Sequence, residues 1–82
     1  MVIATITLYR DAMGQARWRH VASNGNKLSN GNQGFNSARS RNDNLQAVSR
    51  GLGGCKLFFP IQGAEVIIDL GHNDKLRIVN EG

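Results

Sequence analysis

The chain has 82 residues, ten Lys and Arg against six Asp and Glu, a net charge of +4 and one cysteine. This length allows one modest core and a single domain, and the lone Cys55 excludes both an intrachain disulfide and a cysteine-cluster metal site, fitting a reducing, cytoplasmic compartment. Residues 1–52 hold seven basic and two acidic groups and residues 53–82 three and four, a basic first part that suits an anionic partner and equally an ordinary solubility charge.

From Val2 to Arg10 the residues are β-branched, aliphatic or aromatic, with Val2, Ala4, Ile6 and Leu8 alternating against Ile3, Thr5, Thr7 and Tyr9. Period two of this kind predicts a strand with one apolar face. The same stretch lacks a basic n-region and is too short and Thr-interrupted for a signal peptide or membrane span. Asp11 to Gln15 forms a turn around Gly14, which can take positive φ. Ala16 to Ser23 is a second strand, placing Trp18, His20 and Ala22 on one face and Arg17, Arg19 and Val21 on the other. Trp18 is the expected core anchor. Asn24-Gly25 predicts a type I′ hairpin, followed by a short strand around Asn26 to Ser29.

The Asn- and Gly-rich segment from Asn30 to Asn36 reads as a loop. Asn36 or Ser37 caps a helix running to about Arg50, with Ala38, Leu45, Val48 and Leu52 along its apolar face and Arg39, Arg41 and Arg50 flanking it. Gly51, Gly53 and Gly54 end the helix. Beyond Cys55, the Phe58-Phe59 pair is expected to pack, and Pro60 argues against a central strand. Ala64 to Leu70 and Asp74 to Asn80, joined by Gly71-His72-Asn73, predict a C-terminal β-hairpin.

Tyr9-Arg10-Asp11 with Gly14, Arg17-Trp18-Arg19, Asn24-Gly25, Gly34-Phe35, Ser37 and the Leu45 and Val48 helix positions follow the pattern of the YegP-like family. The chain resembles these small prokaryotic domains of unknown function over about residues 2–50, and more loosely through the strand-like run 64–70. The resemblance implies an α+β fold: an antiparallel β-β-β-α unit followed here by the C-terminal hairpin at 64–80, the sheet being completed by pairing with a second unit. Departures are Phe35 in place of Tyr, His20 in place of an aliphatic residue, the Asn-rich loop, and the added strand from Asp74 to Asn80. That hairpin is placed to cover an edge or face that a second unit otherwise occupies.

No pattern for catalysis emerges. His20 and His72 are the only histidines and neither has Cys or carboxylate at ligand spacing, so no metal site and no cofactor is expected. Serines lie outside any G-x-S-x-G elbow, and Gly51-Leu52-Gly53-Gly54 follows a helix instead of opening one, the wrong order for cradling phosphate. His20 is expected half-buried beside Trp18, and His72 in a turn. Arg17 and Arg19 should project from the sheet face opposite the core, either as a stacking and phosphate-binding surface with Tyr9 or as a solvated face paired with Asp11 and Glu65. The leading expectation is a non-enzymatic, protein-binding interaction module that forms a homodimer, with no membrane association. The alternative is a basic nucleic-acid-binding accessory protein, compatible with a phage origin, using Arg17, Arg19, Arg39 and Arg41.

Overall fold

The computed structural model of the chain describes residues 1–30, 34–50 and 57–82. Among these residues five strands and one helix follow in the order β1 (Val2–Arg10), β2 (Ala16–Ala22), β3 (Lys27–Asn30), α1 (Ala38–Arg50), β4 (Glu65–Gly71) and β5 (Asp74–Asn80). They form an α+β fold with a single mixed sheet of order β3-β2-β1-β5-β4. The expected Gly51, Gly53 and Gly54 helix end, Leu52 on the helix face, and Cys55 all lie outside the described residues, as do positions 31–33 of the Asn-rich loop.

Local chemistry explains the meander from β1 to β3. Both of its hairpins use a three-residue loop closed by a left-handed glycine. Gly14 N–H donates to Asp11 C=O at 3.0 Å with φ 78°, and Gly25 N–H donates to Ala22 C=O at 2.9 Å with φ 89°. The type I′ expectation at Asn24-Gly25 is therefore corrected, because only Gly25 of the pair has positive φ. Two successive positive-φ residues occur instead at His72 (55°) and Asn73 (66°), in the β4–β5 turn.

The C-terminal hairpin joins the same sheet. β5 runs parallel to β1, with Ala4 opposite Leu76, Ile6 opposite Ile78 and Leu8 opposite Asn80. β1 is thus the central strand, and the three-stranded unit foreseen from sequence becomes five-stranded within one chain.

One face of this sheet carries the core. Ala4, Ile6 and Leu8 of β1, Trp18 of β2, Ile68 of β4, and Leu76 and Ile78 of β5 cluster with Leu45 of α1 and Leu57. Period two put the β1 and β2 residues on a common face, because directly opposed residues such as Leu8 and Trp18 share a side of the sheet. The helix lies against β2, with Ser37 as its cap: Ser37 Oγ accepts from Ser40 N–H at 3.1 Å.

Two packing expectations are corrected. Val48 is 40% exposed, and the buried helix stripe is Arg41 with Leu45, one turn apart. Of the Phe pair, Phe59 packs on the core while Phe58 is exposed, since successive residues of an extended segment point to opposite sides.

Candidate functional site

Among the described residues the sheet has a helix on one face only, and the opposite face presents its side chains outward. Strand registers arrange it in rows. Arg19, Thr7, Val79 and Glu65 lie side by side across β2, β1, β5 and β4; the next row is Val21, Thr5, Arg77 and Ile67. Tyr9 and Arg17 form a pair beyond the first row, and Lys75 with Asp69 another beyond the second.

Arg17 and Arg19 flank Trp18 and therefore emerge on this open face, as period two required. Arg19 reaches diagonally to Tyr9, its Cζ 5.0 Å from the ring centroid, a cation–π contact worth about 0.5–1 kcal/mol at an exposed site. Arg17 Nε donates to Asp11 Oδ2 at 2.6 Å. The Asp11 carboxyl also accepts from the Gln15 and Met13 N–H groups. Arg17 first, then these two amides, hold it below the ordinary carboxylate range.

Two further cations on the face come from the C-terminal hairpin. Arg77 Nε donates to Glu65 Oε2 at 2.6 Å, and Lys75 Nζ lies 3.9 Å from Asp69 Oδ2. Arg17, Arg77 and Lys75 each have a carboxylate partner, whereas Arg19 rests on Tyr9. Glu65, foreseen as a partner for the Arg17–Arg19 pair, is instead engaged by Arg77 on the neighbouring strand, because β4 lies three strands from β2 in the sheet. Ile67, 45% exposed, supplies an apolar group between the charges.

The four arginines singled out from the sequence do not share this surface. Arg39 is exposed on α1, which covers the other face. Arg41 is fully buried. Its Nη1 donates to Gly82 C=O at 3.0 Å and its Nε to Asn42 Oδ1 at 3.1 Å, while Nη2 has no acceptor among the described residues. Burial, and secondarily Arg10, push the Arg41 guanidinium pKa down. Arg41 thus stands apart from Arg17 and Arg19.

His20 sits half-buried on the core face opposite Ile6, where burial lowers its pKa. His72 is exposed in the β4–β5 turn. Among the described residues no three His, Cys, Asp or Glu side chains gather as a metal-binding group, and no helix is long and apolar enough to cross a membrane.

Lys75, Arg77 and Ile67 are residues of the open face that the sequence reading missed. Their alternation within β4 and β5 was visible, but which face they join depends on the β1–β5 register. Comparison with known proteins finds no matching family model, no matching curated protein and no matching solved structure.

Proposed function

We propose that the chain is a non-enzymatic interaction module that self-associates through the open face of its sheet. The supporting observation is the self-complementarity of the two central rows. Consider a two-fold axis lying between two copies and running along the strands between β1 and β5. It sets β2 of each copy over β4 of the other, and β1 over β5. Arg19 then faces Glu65, Val21 faces Ile67, and Thr7 faces Val79. Sheets packed this way lie about 10 Å apart with strands within about 30° of parallel, so the match holds best near the axis. The resemblance to the YegP-like family points to pairing of two units as well, although here β5 already occupies the β1 edge.

The experiment is a mass measurement by light scattering across concentration. A dimer, twice the 9.0 kDa chain mass, is expected. Arg19→Glu and Glu65→Arg should each shift the population to monomer, and the two together should restore the dimer. A monomer mass at every usable concentration rules out the proposal.

Nucleic-acid binding is the second reading, favoured by the Arg19–Tyr9 stack because a ring beside a cation is the unit of a single-strand platform. It ranks lower because three of the four cations assigned to the face have carboxylate partners that compete with phosphate.

A further inference from the structure

The strand registers bring two loops out at one end of the sheet. β1 leaves it at Arg10, opposite Ala16, into the turn from Asp11 to Gln15. β5 runs parallel to β1 and ends there too, with Asn80 opposite Leu8, and β4 begins there, with Glu65 opposite Val79. Both loops are held by hydrogen bonds that leave large apolar side chains in water. In the first, the Asp11 carboxylate accepts from the Met13 and Gln15 N–H groups, and Met13 is 85% exposed. In the second, the Pro60 carbonyl accepts from Asn80 Nδ2 at 2.8 Å and Ala64 N–H donates to the Ile61 carbonyl at 3.0 Å, while Ile61 is 80% exposed and Phe58 60%. Exposed cations accompany these tips. Arg10 Nη1 donates to the Gly14 carbonyl, which keeps it beside Met13, and Arg39 is in the first turn of α1, a helix that starts just after Phe35 pairs with Ala16. Against them stands the exposed Glu81; Asp11 and Glu65 are bound to Arg17 and Arg77, and Asp43 lies a turn further along α1.

We propose that this end of the sheet docks on the surface of a bilayer carrying anionic lipid, with Met13, Ile61 and Phe58 entering the headgroup layer and Arg10 and Arg39 meeting lipid phosphates. Tips that protrude from fixed turns need no complementary pocket, and a bilayer supplies apolar volume to any shape. Their backbone is already ordered, so insertion costs little conformational entropy. The charge matches as well, because a net charge of +4 is drawn to the negative surface potential of an anionic leaflet. Pairing through the open face adds to this without being required: an axis along the strands sends the tips of both copies out at the same end, onto one plane. Entry into the headgroup layer needs no spanning segment, so the shortness of Val2–Arg10, on which the expectation of no membrane association rests, does not bear on it.

The test is flotation with vesicles of phosphatidylcholine and phosphatidylglycerol in equal parts, against vesicles of phosphatidylcholine alone. The protein should float with the anionic vesicles and bind the neutral ones about tenfold more weakly, with added salt narrowing the difference. Met13→Ser combined with Ile61→Ser should weaken binding to the anionic vesicles by about tenfold, since each removes an apolar side chain that insertion buries. Arg10→Ala and Arg39→Ala should weaken binding to the anionic vesicles and leave binding to the neutral ones unchanged. All these positions are exposed, so thermal midpoints near the wild-type value are expected. Val48→Ser, which removes a 40% exposed apolar group in the last turn of α1, should bind as the wild type does. Absence of flotation with the anionic vesicles overturns the proposal, as does an equal loss in Val48→Ser and in the tip variants. Self-association that is lost in Ile61→Ser, without vesicle binding, assigns the tips to a contact between copies and equally overturns it.

Discussion

Trp18 Nε1 donates to Asn44 Oδ1 at 3.2 Å, so the largest core side chain is also tied by a polar bond to the helix above it. The indole is 3% exposed and belongs to the same cluster as Leu8 and Leu45. A buried indole N–H left without an acceptor is costly, and Asn44 removes that cost.

Trp18→Ala is expected to destabilise the fold by about 3–5 kcal/mol, as large aromatic truncations do. Asn44→Ala should cost about 1–3 kcal/mol by orphaning the donor while leaving the packing in place. Chemical denaturation of both variants checks this. An unchanged midpoint for Trp18→Ala would contradict the packing described.

His20 predicts a pH dependence. Its folded-state pKa lies below the ordinary value of 6.5, because burial disfavours the charged ring. The unfolded chain therefore binds the proton more readily. Stability from this residue is fully present above about pH 6.5 and falls as the pH drops through the depressed folded value. Thermal midpoints between pH 8 and pH 5 should decline for the wild type, and His20→Val should flatten that part of the profile. A variant profile that follows the wild type through this window would remove His20 as the cause.

Arg41→Met is expected to leave the protein as stable as the wild type or more so, by about 1 kcal/mol. It replaces a buried cation, whose Nη2 has no acceptor among the described residues, with an apolar side chain of similar length. The Nη1 bond to Gly82 and the Nε bond to Asn42 are lost, which limits the gain. A loss of several kcal/mol in urea denaturation would show that those two bonds outweigh the cost of burying the charge.

Single-stranded nucleic acid should bind weakly, at about 10⁻⁴–10⁻⁶ M at physiological salt and without sequence preference. Removing Arg19, which has no carboxylate partner among the described residues, should flatten the salt dependence by somewhat less than one unit; removing Arg17, held by Asp11, should do less. Fluorescence anisotropy at several salt concentrations measures both. A nanomolar complex lost on Arg17→Ala and Arg19→Ala, with the fold intact, reverses the ranking of the two functions.

The strands were legible because their information is local. Period two in Val2–Arg10 and Ala16–Ala22 set the faces, and β5 spans Asp74–Asn80 as read. Gly14 marked its turn for a steric reason that any sequence displays. The β1–β5 pairing joins segments some 70 residues apart and leaves no local trace, so the full open face was not readable. Arg41 misled for a different reason. A helix stripe is recognised by apolar residues, and Arg at the position one turn before Leu45 reads as a flanking charge although its aliphatic stem can line a core. Spacing alone turns Val48 inward, but β2 is the strand that α1 packs against, and the stripe turned towards the sheet runs through Arg41 and Leu45.

The parallel β1–β5 pairing also sets a timetable for synthesis. β1 can hairpin with β2 as soon as both exist, but its other edge waits for β5, which is translated about 60 residues after β2. At about 5–20 residues per second that is a delay of roughly 3–12 s. Throughout it, an apolar strand with an open hydrogen-bonding edge sits on the nascent chain, a template on which neighbouring chains on the same message can aggregate.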